Sequence, residues 1–251
     1  MSTEHTQRGM MRIFTLLLTF TLQLLAITAD EIIKKVEHNI QSDSGYSKIT
    51  MIVTTARGER TMKMESWNRG NEKSFIKVLY PKQDRGITFL KIDTTMWQYV
   101  PKIEKIIKIP SSMMMQSWMG SDFTNDDMAK ESSIVKDYNA VISAEDETEY
   151  TLSLLPKEDA PVVWGKIVMK IEKEDYVPLQ AVYFDEDGIE QRVLYYSEVK
   201  VFGTHHLPTR MTLIPSNKEK NKTVVIMDEV DFDIVIDDSR FSKSALKRYS
   251  R

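Results

Sequence analysis

The first periodic apolar positions after residue 29 are Ile32, Ile33, Val36 and Ile40, in "DEIIKKVEHNI". They recur at helical spacing, and Asp30 and Glu31 occupy the first turn, where the helix dipole favours acids. This predicts an amphipathic helix of about three turns. From Tyr46 the period falls to two. "KITMIVTTA" sets Ile49, Met51 and Val53 on one face and Thr50, Ile52 and Thr54 on the other. "RGER", with Gly58, supplies a turn, and "RTMKMESW" alternates again. "SFIKVLY", "GITFLKI", "TMWQYV" and "IEKIIKI" follow, punctuated by Pro81, Gly86, Pro101 and Pro110. Short alternating runs between such turn signals predict an antiparallel meander.

Some of these runs are apolar on both sides. In "SFIKVLY", Phe75, Lys77 and Leu79 oppose Ile76, Val78 and Tyr80. A sheet apolar on both faces is covered on both or lines a cavity. The alternation stops at residues 111–130, which read as helical, and then resumes. Strand candidates after the break are "SSIVKDY", "NAVISAE", "TEYTLSLLP", "GKIVMKIEK", "PLQAVYFDE", "QRVLYYSEVKVFG", "LPTRMTLIP" and "KTVVIMDEVDFDIVI". "DDSRFSKSALKR" predicts a short terminal helix capped by Ser239 or Asp238. No linker, repeat or low-complexity tract divides the chain. The pattern is one long antiparallel sheet with a helical insert, and so many strands in one sheet must curl or close.

The insert, "SSMMMQSWMGSDFTNDDM", is the densest methionine cluster in a chain with 15. Ser111 and Ser112 suit an N-cap and Gly120 suits the position after a helix end. A helix between them would gather Met114, Met115, Trp118 and Met119 into one stripe. Thr124 and Asp127 then form a capping-box pair for a second helix, with Phe123 and Met128 at staple positions. The same acids invite a metal reading through Asp122, Asp126 and Asp127. Their spacing matches no calcium loop and no His is near, so capping is the better account.

Composition narrows the function. Arg8 and Arg12 precede the apolar run from Ile13 to Leu25, and small residues follow up to Ala29. That is the pattern of a secretory signal peptide cleaved after residue 29, leaving residues 30–251 as one domain. The run is short for a membrane span and holds Thr15, Thr19, Thr21 and Gln23. The whole chain has 34 basic and 37 acidic residues. This mixed, slightly acidic balance disfavours a nucleic-acid partner. There are no cysteines. Disulfides, thiolate metal sites, cysteine nucleophiles and a lipid-anchored cysteine are therefore excluded, which points to a free periplasmic protein.

"RGITFLK" (residues 85–91), "MWQYVP" (96–101), "MGSDFTNDDM" (119–128), "YFDEDGIEQRVLYY" and the closing "RFSKSAL" together resemble the outer membrane lipoprotein-sorting proteins of the LolA-like superfamily. The resemblance implies an α+β fold: a single strongly curved antiparallel sheet, an unclosed half-barrel of about eleven strands, with helices covering its concave face. It also implies a monomeric carrier that holds the acyl chains of a lipid or lipoprotein, receiving them from an inner-membrane transporter and passing them to an outer-membrane acceptor. Arg85 is a candidate for the arginine that such carriers use at the lid, with a turn or ion-pair role as the alternative.

On this reading the lipid-binding residues are Met114, Met115, Trp118 and Met119 from the insert, and Phe75, Leu79, Phe89, Trp97 and Tyr99 from the strands. Unbranched thioether side chains repack easily around a variable apolar guest. Ordinary core is the competing role for each. No cofactor or metal is implied. Catalysis is disfavoured. His38 lies in the first helix, and His205 and His206 fall in the turn-like "GTHHLP". No nucleophile motif or Gly-rich phosphate loop accompanies them. A second class of function is a periplasmic interaction partner of an envelope transporter, with a filled sheet interior and no cargo of its own.

Overall fold

The computed structural model describes residues 27–129 and 134–251. The n-region and apolar run of the expected leader lie outside the described residues. α1 (Ala29–Ile40) begins with a capping box: Thr28 accepts from the Glu31 amide, and Glu31 reaches back to the Thr28 amide. Its Ile32, Ile33 and Val36 are fully buried, each contributing about 1.5–3 kcal/mol by removal from water.

Six strands follow: β1 (Ser44–Thr55), β2 (Gly58–Arg69), β3 (Lys73–Tyr80), β4 (Thr88–Ile92), β5 (Thr95–Val100) and β6 (Lys105–Lys108). Two short helices, α2 (Asn125–Ala129) and α3 (Ile134–Asp137), precede the second set. That set is β7 (Tyr138–Glu145), β8 (Glu149–Pro156), β9 (Lys166–Glu172), β10 (Pro178–Phe184), β11 (Glu190–Phe202), β12 (His205–Pro215) and β13 (Lys222–Phe232), closed by α4 (Lys243–Arg248). All the strands join in one antiparallel sheet of 13, two more than expected, in the order β6-β5-β4-β3-β2-β1-β13-β12-β11-β10-β9-β8-β7.

This order is two meanders joined where β1 pairs with β13. β6 and β7 are consecutive in sequence yet form opposite edges of the curved, unclosed sheet. The chain between them must therefore travel from edge to edge, and it does so across one face. Strand alternation decides what it meets. Met51, Met64, Ile76 and Phe89 share a cluster with Trp118 of this crossing segment. Phe75, Leu90 and Tyr99 point the other way and pack with Phe241, Ala245 and Leu246. α1 covers the second meander on the crossing side, against Leu152, Leu154, Ala181 and Leu194.

The terminal helix thus lies on the face opposite the crossing segment, so the helices do not all cover one side. Its caps also differ from those expected. Asp237 caps the 3-10 turn Asp238–Phe241 and Ser242 caps α4. The "HH" pair sits in β12 itself, because only Gly203 and Thr204 separate β11 from β12.

Candidate functional site: a cavity beneath the crossing segment

The crossing segment is not the expected pair of regular helices. Residues Ser111–Met113 and Trp118–Gly120 are single 3-10 turns, and Met119 (φ 52°) and Gly120 (φ 74°) are both left-handed. Glycine adopts that conformation freely, whereas Met119 does so at a cost. The two residues reverse the chain so that residues 113–118 fold back on 123–126. Ser117 bridges Thr124. The Trp118 amide donates to Phe123 O at 2.8 Å, the Asp126 amide to Met114 O at 2.8 Å, and Asn125 Nδ2 to Met113 O at 2.9 Å.

The reversal disperses the expected stripe. Trp118 turns inward, 1% exposed, with its ring 5.2 Å from that of Phe89. Met114 and Met119 pack at the edge of the same cluster, while Met115 is 55% exposed. The second predicted helix is present as the single turn of α2. Its capping box is formed: Asp127 Oδ2 accepts from the Thr124 amide at 2.8 Å, and the Asp127 amide donates to Thr124 Oγ1 at 3.1 Å.

Three polar anchors pin this segment to the sheet. Arg60 of β2 donates to the Met119 carbonyl, and also lies 3.7 Å from Asp84. Asp122 accepts from Thr223 Oγ1 of β13 at 2.8 Å. Asp127 forms a two-pronged ion pair with Arg192 of β11, both contacts at 2.7 Å. The Arg192 guanidinium is also flanked by the rings of Trp164 and Tyr183, at 4.4 and 4.5 Å. Burial alone would pull Arg192 down, but the Asp127 carboxylate outweighs it and holds the group above its ordinary value. Burial pushes the neighbouring phenols of Tyr138, Tyr183 and Tyr196 up, so they are neutral hydroxyls. Asp122 and Asp127 of "SDFTNDD" thus serve as anchors and cap. Among the described residues no cluster of three or more His or acidic side chains could hold a metal.

Between the crossing segment, α1 and the sheet lies a cavity of about 460 Å³, within the usual range for ligand pockets. Trp118, Phe123, Met128, Met64, Met211 and Val225 are among its apolar walls. Two buried donors in this wall, Trp118 Nε1 and Arg192 Nε, have no hydrogen-bond partner among the described residues.

Of the nine side chains expected at a lipid site, the structure brings Trp118, Phe89, Met114 and Met119 into one cluster, and of these Trp118 lines the cavity. It separates the rest. Phe75, Trp97 and Tyr99 lie on the far face in the cluster under α4. Leu79 is the extra residue of a bulge between Val78 and Tyr80, where the alternation is interrupted, and it belongs to neither cluster. The far-face residues set up a control. Phe75→Leu is expected to lower stability by less than about 1.5 kcal/mol and to leave the affinity of an apolar dye for the cavity unchanged. A loss of dye binding with normal thermal stability would place Phe75 in the site after all.

Arg85 is exposed in the turn before β4, and Arg60, like Arg192, is an arginine that does reach the crossing segment. Sequence reasoning missed it because "RGER" registers only as a hairpin turn. Arg60→Met keeps the aliphatic stem but removes the charged donor. It is expected to weaken local closure by about 1.5–3 kcal/mol, seen as faster amide exchange at residues 117–121 with no change in β13. Equal protection in both proteins would show that the contact holds nothing.

The histidines form a separate group at the end of α1. His205 stacks between His38 and Phe232, with ring centroids 4.6 and 4.1 Å apart, and its Nδ1 lies 2.6 Å from His38 O. His206 pairs with Asp175 at 2.9 Å. They tie α1 to β12.

Among the described residues no helix is long and apolar enough to cross a membrane. No curated protein matches the chain. Three solved structures share its fold. A DUF1329 family protein from Desulfovibrio piger is 20% identical, with a TM-score of 0.79, covering 87% of this chain and 97% of its own. An outer membrane lipoprotein-sorting protein domain from Vibrio parahaemolyticus is 19% identical, with a TM-score of 0.76 and coverage of 88% and 98%. A LolA superfamily protein from Nitrosomonas europaea is 19% identical, with a TM-score of 0.74 and coverage of 88% and 100%. These likenesses establish the curved, unclosed sheet of the LolA-like fold. A family model whose description reads "Uncharacterized protein" matches residues 70–248, most of the chain. The protein therefore belongs to that family, and it is built on the LolA-like fold.

Proposed function

We propose that the protein is a non-enzymatic periplasmic carrier that binds the acyl chains of a lipid or lipoprotein and moves them toward the outer membrane. The observation that carries this reading is the apolar cavity of about 460 Å³ beneath a pinned crossing segment. An interaction module with a filled sheet interior would have no such space. The name of the Vibrio structure on the same fold, an outer membrane lipoprotein-sorting protein domain, supports the outer membrane as the destination. Each methylene taken from water contributes about 0.8 kcal/mol, so a chain of roughly sixteen carbons represents about 12 kcal/mol before ordering costs. A free acyl chain therefore needs a shield to cross an aqueous compartment. In this reading residues 30–251 are the exported domain, and the carrier works as a monomer between an inner-membrane transporter and an outer-membrane acceptor.

The test is native mass spectrometry with lipid extraction of protein purified from an envelope fraction. A binding titration with the uncharged apolar dye N-phenylnaphthylamine accompanies it. Co-purifying acyl lipid and a saturable dye site are expected. Lipid-free protein that binds no dye would leave the interaction-partner reading in its place.

A further inference from the structure

The cavity is graded along its length. On β1, Ile49 and Met51 face it, then Ser47 and Gly45 two and four residues nearer the strand start. The neighbouring strand repeats the change. Ser47 pairs with Ser66 and Gly45 with Asn68, whereas Ile49 pairs with Met64. Asn68 in turn pairs with Ser74 of β3. Each step of two residues advances about 7 Å, so the lining passes from thioether and alkyl groups to hydroxyls and amides within one strand repeat. The side chains of Ser47, Ser66, Asn68 and Ser74 line the cavity, and they make no hydrogen bond among the described residues. They are half-buried donors and acceptors on an otherwise apolar surface.

The one cation of the same wall among the described residues is Arg192, and its carboxylates are Asp126 and Asp127; Asp231 pairs with Tyr46 and so turns to the far face. Both terminal nitrogens of Arg192 are committed to Asp127. A phosphate or carboxylate entering here would meet no free cation of the described lining, and a buried charge without a partner costs several kcal/mol. The adjoining pocket, which shares Gly70 and Asn71, does not reverse this. It carries Asp43, Glu72, Asp93 and Asp137 against Arg69, Lys91 and Lys136, and Arg69 is already paired with Asp238.

Building on the carrier reading, we infer that the cargo is an acyl amphiphile with an uncharged, hydrogen-bonding head. The head, of hydroxyl, ester or amide groups, lies along Ser47, Ser66, Asn68 and Ser74. Anionic lipids of the same chain are excluded because no free cation of the described lining meets their charge. The selectivity comes from the absence of a spare cation, and not from the shape of the apolar end, which accepts either tail.

Displacement of N-phenylnaphthylamine from the full chain tests this, with mono-oleoylglycerol and oleoyl lysophosphatidylglycerol as competitors below their aggregation limits. The two carry the same tail on the same acylated glycerol, and the second adds a phosphoglycerol group with one negative charge. Mono-oleoylglycerol is expected to bind tenfold tighter or more. The double substitution Ser47→Ala with Ser66→Ala is expected to lower its affinity about threefold to tenfold relative to the dye. Equal or tighter binding of the phosphate lipid overturns the head assignment while leaving the carrier reading standing. A double variant with unchanged relative affinity also overturns it. A protein that binds neither dye nor lipid overturns both.

Discussion

Asp127→Ala is expected to cost about 3–5 kcal/mol of stability, because it leaves the buried Arg192 guanidinium without its counter-ion. Arg192 is 7% exposed, flanked by two aromatic rings, and makes both of its terminal contacts to this one carboxylate. A domain of this size loses roughly 2–4 °C of melting temperature per kcal/mol, so the fall should be about 6–20 °C. The loss also removes the capping box of α2, worth about 1 kcal/mol of that total. The pair Asp127→Leu with Arg192→Met is the informative comparison. Removing both charges together leaves no orphan, and such replacements are often neutral or stabilising. Thermal denaturation should therefore show the double variant recovering most of the loss. A single variant within 1 kcal/mol of the parent would mean that water reaches Arg192 and the pair is in effect a surface one.

This ion pair also marks where the sequence was readable and where it was not. The Thr124–Asp127 box was legible because a cap depends on residues three apart, and it forms as expected. The partner of Asp127 was not legible. Arg192 lies 65 residues away on β11, and no local pattern links the two. α1 was legible for the same local reason, since Ile32, Ile33 and Val36 repeat at helical spacing and are all buried.

The strand alternation was legible, but its sense was not. Period two shows that Phe75 and Ile76 face opposite ways, yet "SFIKVLY" is apolar on both sides. Only the position of α4 reveals that Phe75 belongs to its cluster and Ile76 to that of the crossing segment. Methionine and tryptophan density suggested a helical stripe at 111–120. What the pattern could not show is the left-handed Met119 before Gly120, which breaks the helix and points Trp118 and Met115 in different directions. The histidine group was hidden likewise, because "GTHHLP" gives no hint that His38, some 167 residues earlier, supplies the stacking partner.

The crossing segment is held from above by three polar anchors and from below by one large side chain. That division predicts how it would open. Trp118→Ala removes the inward ring, and large-to-small changes of buried aromatics cost about 3–5 kcal/mol. The cost should fall on the segment alone. Its own hydrogen bonds run among residues 113–126, whereas the strands beneath it are laddered to each other and do not depend on it. Contacts with this independence open as a local unit. Amide exchange at residues 111–129 should therefore accelerate by two orders of magnitude or more, while β1, β2 and β13 keep their protection. Dye affinity should fall tenfold or more with the β-sheet circular dichroism intact, because the cavity loses its cover without losing its floor. Cooperative loss of the sheet signal would instead assign Trp118 to the core of the whole domain. Unchanged dye affinity over a detached segment would show that the sheet face retains its guest without a cover, and the segment would then have no part in holding cargo.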